Sequence, residues 1–467
     1  MLNIILKEVK ELVRDDRIKI VVIISLMLVL IALITGSSQY QKSNQQLADS
    51  VSKERNIWET QDEKNPHSAA HYGTYAFKPK FALSLMDYGI TKYTGNSIFL
   101  EAHNRNEANF SEASDETSLT RFGTLSINFV LIYLFPLIII LLGYNSYTKE
   151  LENKTLTLLK SQGVNSLKLI LGKWIAIFSP ILILTIIVFI VSGTLLSNIE
   201  RVEFFRWSSL IAFFISYLMY YLIITTLTLI ISIYSKSSGK SLVGALFIWI
   251  SFSFIIPKIA TNIANENHPY PSKLEFNTGV ALDKKNGLDG HNPWNEAAKK
   301  LEEKTLKEYN VSKISQLPFN YAGFRMQKGE EHEAEIYKKH YNFLNQIAKK
   351  QNSVYQKLSF LSPFISLRFL SMDISNTSDK LHWKFTNDAE NYRLSKQKFL
   401  NYDIKDNSKF GERGYKMNSE KFKKLPKFNF IPPLLSEIIK ENNQNILFLL
   451  LWFFMPFLGL LISSKYK

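Results

Sequence analysis

The sequence predicts an all-α membrane protein with six transmembrane helices, an N-terminal amphipathic interface helix and a mainly helical extracytoplasmic domain. Six separate runs are apolar over about 20 residues, the length of helix that crosses a bilayer core about 30 Å thick. The short connections between these runs differ in their content of Lys and Arg. Two long connections are polar with helical periodicity, which is typical of a solvated helical domain.

The predicted spans occupy residues 18–36, 124–143, 174–197, 207–233, 241–259 and 444–463. One such run is compatible with a buried helix of a soluble protein, but six together favour an integral membrane protein. An amphipathic segment precedes the first run and no small-residue cleavage site follows it, so we expect it to remain as a helix. Pro136 and Pro180 predict kinks in spans two and three, where a neighbouring group must satisfy the backbone carbonyl that each proline frees.

The distribution of basic residues predicts the orientation of the chain. Five Lys or Arg residues lie before or at the start of span one, and five lysines lie between spans two and three. The short connection 198–206 carries only Arg201 and Arg206. Both termini are therefore predicted to be cytoplasmic, with the protein in the bacterial cytoplasmic (inner) membrane and the long connections 37–123 and 260–443 on the extracytoplasmic side.

Residues 1–17 predict a cytoplasmic interface helix. Apolar side chains recur at helical spacing, and charged side chains occupy the rest of the turn. Such a helix lies in the membrane interface with its apolar face against the lipid. The alternative is a solvated leader that packs on a partner protein. The apolar positions are Leu2, Ile5, Leu6, Val9, Leu12 and Val13.

The two long connections predict folded segments outside the membrane. Residues 41–58 predict a helix that continues span one, and residues 295–310, 329–360 and 385–402 predict further helices. The segment 65–77 is interpreted as a loop or a short helix. The chain contains no Cys, which excludes disulfides and Cys-ligated metal sites. Ordinary cores are therefore expected to hold these segments, which could fold together.

Two histidines in the first long connection are candidate metal ligands. His67 and His71 have i, i+4 spacing, which places both imidazoles on one helical face, a spacing compatible with zinc or copper. Two imidazoles alone do not complete a site. His103 and His291 are candidates for further ligands, but surface or packing histidines are the preferred interpretation, and no metal site is predicted.

Several function classes lack their sequence signature. Spans two to six carry no ionisable side chain deep in the membrane, which argues against a proton-relay pump or an ion-coupled carrier. The segment SKSSGKS at 235–241 lacks the first glycine of a phosphate-binding loop and is interpreted as a tight cytoplasmic turn. A membrane-anchored hydrolase is disfavoured because no motif pairs a nucleophile with a base. We therefore predict neither an enzyme nor a nucleic-acid-binding protein.

The connection between spans two and three, residues 144–173, is short, polar and basic. Residues 150–159 predict one amphipathic helix, residues 161–166 predict a turn at Gly163, and residues 167–173 lead into span three. The residues that match a known signature are Glu150, Glu152, Thr155, Leu156, Leu158, Leu159, Gly172 and Lys173. They resemble the loop of ABC-2 type permeases, where acidic residues and a threonine with following leucines precede a turn and a final Gly-Lys.

The loop departs from that signature at two positions. Lys154 stands where glycine is usual before the threonine, which is expected to alter the local bend. Gly163 stands where a proline usually leads the turn, which affects the shape of the loop surface. Without the resemblance, an ordinary basic loop on the cytoplasmic side explains the composition about as well.

The resemblance implies a subunit with no cofactor of its own, moved by a separate ABC ATPase that binds ATP and Mg²⁺. A six-span chain of this type also implies a second permease copy or paralogue in the complex. The loop would provide the docking surface for the ATPase. The residues implied to form that surface are Glu150, Glu152, Lys154, Thr155, Leu156, Leu159 and Gly163.

Scattered residues in the long connections carry a second resemblance. They are 65–77, Phe99, Leu100, Glu101, His291, Pro293, Leu317, Pro318, Ser362, Pro363, Asn391, Tyr392 and Arg393. They are similar to a subgroup of ABC-2 permeases with a large extracytoplasmic domain of unknown function. The resemblance favours an ATP-driven exporter, with a periplasmic or outer-membrane component as a further candidate partner. The alternative is a mechanotransmission complex, which relays ATP-driven motion to the outer domain and moves no substrate.

Overall fold

The apolar runs form helices that pack as a bundle. The structure is a computed structural model that describes residues 1–114, 125–199, 204–285, 287–412 and 414–466. Within these residues, six helices are long and apolar enough to cross a membrane, which confirms the predicted fold class. We call them spans 1 to 6: Lys19–Glu59, Ile127–Glu152, Ser166–Asn198, Trp207–Tyr234, Ser238–Asn267 and Asn443–Lys465. Arg201 and residue 124, the predicted start of span two, lie outside the described residues.

Span 1 belongs to a single helix, Asp16–Glu59, that continues well beyond the predicted membrane segment 18–36. The helix predicted at residues 41–58 is therefore confirmed as the far end of this element. The interface helix runs from Leu2 to Arg14. The extended backbone of Asp15 separates it from span 1.

The extramembrane domain consists of the far end of the span 1 helix together with the described parts of residues 60–114 and 268–442. Its three predicted helices are present, with the bounds Glu296–Glu308, Tyr321–Leu358 and Asp379–Asn407. Its other helical elements are Pro66–Tyr72, Ala82–Leu85, Glu112–Ser114, Lys273–Lys285, Ile314–Gln316, Pro363–Ile374, Ser419–Lys423 and Leu435–Glu441.

A two-stranded antiparallel sheet, which was not predicted, joins Thr74–Phe77 to Ser97–Leu100, with Thr74 opposite Leu100. Four residues are too few to distinguish the alternation of a strand from a short apolar piece of another kind. The sheet packs on helix Asp379–Asn407, so the two long connections fold together. The side chains of this shared core are Ala76, Phe81, Ile98, Leu100, Leu381, Phe385, Ala389 and Phe430.

Span 4 forms the centre of the bundle. It packs against spans 2, 3, 5 and 6 and against helix Pro363–Ile374 of the extramembrane domain. Tyr217, Tyr220 and Tyr221 on this span have no exposed surface. The outward faces of the surrounding spans expose apolar side chains such as Ile183, as expected of surfaces that contact lipid.

A hydroxyl group satisfies the carbonyl freed by Pro136 in span 2. A π-helical turn, Val130–Leu134, precedes this proline, so the carbonyl that loses its partner lies five residues back, at Leu131. The hydroxyl of Tyr221 in span 4 donates a hydrogen bond of 2.7 Å to that oxygen. The site of the proline is thereby also a contact between two spans.

In spans 5 and 3 a hydroxyl group likewise satisfies the carbonyl that the proline frees. In span 5 a π-helical turn precedes Pro257, and the hydroxyl of Ser362 donates a 2.9 Å hydrogen bond to the carbonyl of Phe252, five residues before the proline. In span 3 the hydroxyl of Ser179 donates a 3.3 Å hydrogen bond to the carbonyl four residues before Pro180. The prediction that nearby groups satisfy the freed carbonyls is therefore confirmed.

Replacing Tyr221 with Phe is expected to lower the free energy of unfolding by about 1–3 kcal/mol, because the Leu131 carbonyl would stay buried without a partner. The measurement is denaturation of the purified protein in detergent. Tyr93→Phe, at a tyrosine that is 66 % exposed, is the control and should change that free energy by less than about 0.5 kcal/mol. Equal stability of the two variants would contradict the role assigned to Tyr221.

A buried polar cluster joins the spans to the extramembrane domain. Asp87, which has no exposed surface, accepts hydrogen bonds from Asn128 of span 2 at 3.1 Å and from Arg368 of helix Pro363–Ile374. The hydroxyl of Tyr217 in span 4 donates to Asn128 Oδ1 at 2.8 Å. Two spans and the extramembrane domain therefore share one hydrogen-bond network.

Candidate functional site

The ammonium group of Lys173 lies at the centre of an ionic cluster at the loop 144–173. The Lys173 side chain is 1 % exposed, and its Nζ lies 2.6 Å from Glu8 Oε1 and 3.3 Å from Glu150 Oε1. Lys173 belongs to span 3, Glu8 to the interface helix and Glu150 to the loop. The cluster therefore connects the N-terminal interface helix to the loop and to the start of span 3.

The interface helix packs closely on span 3 beside this cluster. A Cβ added at Gly172 would lie 2.8 Å from Ile4 Cγ2, so the close approach of the two helices requires glycine. The next residue, Lys173, binds the Glu8 carboxylate of the same helix. The final Gly-Lys of the loop therefore has two structural roles. Gly172 leaves room for the interface helix, and Lys173 binds the Glu8 carboxylate of that helix.

Two further ion pairs connect the interface helix to the loop. Lys7 Nζ lies 2.7 Å from Glu150 Oε1, and Lys149 Nζ lies 3.1 Å from Glu11 Oε2. Burial by itself would lower the pKa of Lys7, but the hydrogen bond to Glu150 and the neighbouring carboxylates outweigh burial and raise that pKa. Lys7 therefore remains charged in the pair.

The loop also contacts spans 4 and 5. Ser232 Oγ, near the end of span 4, accepts hydrogen bonds from the backbone N–H groups of Tyr147 at 3.1 Å and Thr148 at 3.4 Å. The Glu152 carboxylate accepts hydrogen bonds from the backbone N–H and the hydroxyl of Ser238, at 2.8 and 2.6 Å. Ser238 is the first residue of span 5, so Glu152 satisfies a free N–H at a helix start. The predicted turn over residues 235–241 is shorter in the structure, where residues 235–237 connect spans 4 and 5 and residues 238–241 belong to the helix of span 5.

The loop contains two short helices, Thr148–Glu152 and Thr155–Ser161, so the prediction of one helix over residues 150–159 was wrong. The break lies at Lys154, whose backbone has φ 60° and ψ 10°, in the left-handed region. Glycine adopts this conformation readily, whereas it costs other residues about 1–2 kcal/mol. Lys154 thus adopts the conformation that glycine, the usual residue at this position of the signature, favours.

Replacing Lys154 with Gly is expected to raise the free energy of unfolding by about 0.5–1 kcal/mol, because it removes the cost of the left-handed backbone. The measurement is thermal denaturation in detergent. Lys160→Gly removes the same charge inside helix Thr155–Ser161 and should instead lower stability by about 1 kcal/mol. A Lys154→Gly variant that is less stable than the wild type would contradict the strain inferred here.

The residues implied to dock the ATPase differ in exposure. Glu150 and Leu156 are buried, and Thr155 and Leu159 are half-buried against the bundle. In this conformation these four side chains hold the loop in place and do not form its outer surface. Among the exposed residues of the loop are Leu151, Glu152, Lys154, Leu158 and Gly163, which we call the loop surface.

Two family models match the chain in succession. The model described as ABC-2 family transporter protein matches residues 44–266, which include the whole of the loop 144–173. A domain of unknown function, DUF3526, matches residues 273–431 in the extramembrane domain. The chain therefore contains an ABC-2 family transporter domain over residues 44–266, followed by the DUF3526 domain. It is a membrane permease of an ABC system with a large additional domain, and the family implies an ABC ATPase as a partner. No curated protein matches the chain.

The permease also brings its candidate metal ligands together. One ring nitrogen from each of His67, His71, His103 and His291 lies within 4.8 Å of the other three. The Nε2 atoms of His67 and His71 are 3.0 Å apart, and those of His103 and His291 are 2.6 Å apart. Sequence spacing indicated only the first pair, because the other two residues come from distant parts of the chain.

The surroundings of His67, His103 and His291 shift the pKa values of these imidazoles in different directions. Burial lowers the pKa of His67 to about 4, and the charges of the other three imidazoles act in the same direction. Burial would also lower the pKa of His103, but hydrogen bonds to Glu330 and Glu333 outweigh it and raise that pKa to about 9. The pKa of His291 is lowered by burial and then by the charge of His103.

Three partners of the loop were missed in the sequence. Glu8 lies among charged residues that resemble a solvated helical face, and its burial depends on Lys173, which is 165 positions away. Ser232 and Ser238 carry no signal beyond their position at the ends of apolar runs. The one feature of the sequence that could have indicated a buried carboxylate is Lys173, the lysine of the final Gly-Lys.

Proposed function

We propose that this chain is the permease of an ATP-driven exporter and that a separate ATPase drives it through the loop 144–173. The observation that supports this most directly is the ionic cluster of Lys173, Glu8 and Glu150. A loop held by buried ion pairs passes a displacement on to the bundle, whereas a flexible loop absorbs it.

The contacts of the loop explain how one push would move several helices. Spans 2 and 3 continue directly from the ends of the loop. Ser232 binds its beginning to span 4, Glu152 binds it to span 5, and Glu150 binds it to the interface helix. A tilt of the loop would therefore shift these elements together, as in other rigid-body transitions.

In this proposal the ATPase docks on the loop surface and holds the ATP and Mg²⁺. Leu151 and Leu158 are 45 % and 57 % exposed, and they provide the apolar centre of the contact. Glu152 and Lys154 provide the polar rim that protein interfaces usually have. The loop and both termini would lie in the cytoplasm, the extramembrane domain outside the bacterial inner membrane, and a second permease copy beside this one.

The variant Leu158→Glu tests the docking surface. It is expected to lose co-purification with the cognate ABC ATPase, because the carboxylate would be buried in an apolar contact without a partner. Leu158 is 57 % exposed, so the isolated permease should stay folded. Leu282→Glu, at a leucine of the extramembrane domain that is also 57 % exposed, is the matched control and should bind the ATPase normally. Undiminished co-purification of the Leu158→Glu variant with the ATPase would exclude the loop surface as the docking site.

A mechanotransmission complex is the second candidate function, and one observation favours it. Asp87 links span 2, through Asn128, to Arg368 on a helix of the extramembrane domain. Motion of the bundle would reach that domain through this buried network without any substrate path. In structures of the complex with and without ATP, a continuous path between the two permeases would support export. A closed seam in both states, with the domain displaced, would support mechanotransmission.

A further inference from the structure

We propose that His67, His71, His103 and His291 form a binding site for one divalent transition-metal ion, Zn²⁺ or Cu²⁺, in the extramembrane domain. The ring centroids of His67 and His71 are 4.5 Å apart with their planes at 90°, and those of His103 and His291 are 4.4 Å apart at 80°. Two crossed pairs of rings therefore direct their nitrogens towards a common point. This proposal is independent of the proposed transport function.

Helix Pro66–Tyr72 positions the first two ligands. Asn65 caps this helix by accepting a 2.9 Å hydrogen bond from the backbone N–H of His67. The i, i+4 spacing puts the rings of His67 and His71 on one face of the helix. Other side chains of the helix are buried in the core below, which fixes the direction of that face.

The loop after strand Ser97–Leu100 positions the third ligand, His103. The backbone N–H of Ala102 donates a 3.2 Å hydrogen bond to the carbonyl of Ala70, so this loop is attached to the helix of the first two ligands. His103 has φ 64°, a left-handed conformation that is costly for a residue with a side chain. Glu330 Oε1 holds it there by accepting from both its backbone N–H and its Nδ1, each at 2.8 Å.

Glu330 is the kind of outer carboxylate that orients a metal-binding histidine. It is 2 % exposed and pairs with Arg393 at 3.1 Å, so its own position is fixed. With Nδ1 engaged by this carboxylate, His103 presents Nε2 to the other imidazoles. Carboxylate–histidine pairs of this form are usual in the outer shell of metal sites. A histidine that only covers the surface would not need a strained backbone and a buried carboxylate.

A close contact between two glycines positions the fourth ligand, His291. A Cβ added at Gly329 would lie 2.6 Å from Gly290 Cα, so the loop with His291 rests directly on the helix that carries Gly329. Arg325 Nε donates a 3.1 Å hydrogen bond to the carbonyl of Gly290. Asp289 Oδ1 accepts a 2.8 Å hydrogen bond from the backbone N–H of His291. The histidine is therefore held from both sides of the loop.

The donor set selects the class of metal. Imidazole nitrogens suit Zn²⁺ and Cu²⁺, whereas Mg²⁺ and Ca²⁺ prefer oxygen. Metal–nitrogen distances of about 2.0–2.1 Å place the nitrogens of a tetrahedral site about 3.3 Å apart. The nitrogens here are separated by 2.6 Å in the closest pair and by at most 4.8 Å. Side-chain movements of about 1 Å would therefore close the site. Four protein ligands fill a tetrahedral ion, so the site binds metal without an open catalytic position.

A bound ion would connect the two long connections of the chain. His67, His71 and His103 lie in the first, and His291 lies in the second, within the DUF3526 region. Binding would stabilise the joint fold of these segments by mass action. His71 and His291 are exposed, so an ion can enter from the surrounding solution.

The experiment uses the full-length protein in detergent, stripped of metal by a chelator and titrated separately with Zn²⁺ and Cu²⁺ against a coloured competing chelator. We expect one ion per chain with a Kd below about 1 µM, together with a rise in melting temperature. Tighter binding of Cu²⁺ than of Zn²⁺ would follow the usual order for nitrogen ligands. A Kd weaker than about 100 µM for both ions would overturn the proposal and leave only hydrogen bonds between imidazoles.

The double variant His71→Gln, His291→Gln should weaken binding by at least about 100-fold, more than the loss of an outer-shell partner usually does. It should also abolish the metal-dependent rise in melting temperature. Both side chains are exposed, so the melting temperature of the metal-free protein should be unchanged. His268→Gln, at a histidine outside the cluster, is the matched control and should bind like the wild type. Wild-type affinity in the double variant would overturn the assignment of the ligands.

Discussion

Replacing Lys173 with Met is expected to detach the interface helix from the loop and to uncouple the permease from its ATPase. Methionine has about the length of lysine but carries no charge. The substitution therefore leaves Glu8 and Glu150 without their buried cation. Removing one partner of a buried ion pair costs about 3–5 kcal/mol. Because the cluster is local, we expect this cost to appear as opening of the interface helix and not as global unfolding.

Hydrogen exchange at residues 2–14 measures that opening, and protection should fall by about 100-fold or more. Stimulation of the ATPase by the permease should fall in parallel. Lys168→Met, at an exposed lysine of the same span, is the control and should change neither quantity. The triple variant Lys173→Met, Glu8→Gln, Glu150→Gln should regain part of the protection, because replacing every charged partner is often tolerated. Unchanged protection in Lys173→Met would show that the cluster does not hold the helix.

Replacing Arg393 with Met is expected to destabilise the extramembrane domain by about 3–5 kcal/mol. The Arg393 side chain is 1 % exposed, and it pairs with Glu390 at 2.8 and 2.9 Å and with Glu330 at 3.1 Å. Burial by itself would lower the pKa of Arg393, but the hydrogen bonds and charge of Glu390, followed by Glu330, raise it above its ordinary value. Without the guanidinium group, two buried carboxylates would face each other.

The melting temperature of the purified protein measures this effect and should fall by about 10 °C. Arg393→Lys keeps the charge but loses the forked geometry, so it should melt between the wild type and Arg393→Met. Lys398→Met removes an exposed cation from the same helix and should melt like the wild type. A melting temperature for Arg393→Met close to that of Lys398→Met would mean that the ion pairs contribute little.

The membrane-spanning part of the fold was predictable because its rules are local. In lipid each backbone polar group must be satisfied within its own helix, so the length of an apolar run determines the existence of a span. The prolines are predictable in the same way, since a missing N–H always leaves a carbonyl to be satisfied. Which group satisfies that carbonyl was not predictable, because Tyr221 is 90 positions from Leu131.

The loop shows the same division between local and distant information. Its acidic residues, leucines and Gly-Lys were recognisable as a motif, because motifs are contiguous in sequence. The break at Lys154 was not, because lysine rarely adopts the left-handed conformation and is an ordinary residue of helices. The partner Glu8 was also not recognisable, because a charged residue on an amphipathic helix is usually solvated.

By itself, the sequence determined that this protein has six spans, an amphipathic N-terminal helix, an ABC-2 type loop and a large helical domain. Only the tertiary structure decided which charges are buried together and that four histidines from distant positions meet. The physical reason is that periodicity and hydrophobicity act between neighbouring residues. Ion pairs and side-chain clusters instead depend on distances of a few ångströms between residues that are far apart in the sequence, such as Asp87 and Arg368, which are 281 positions apart.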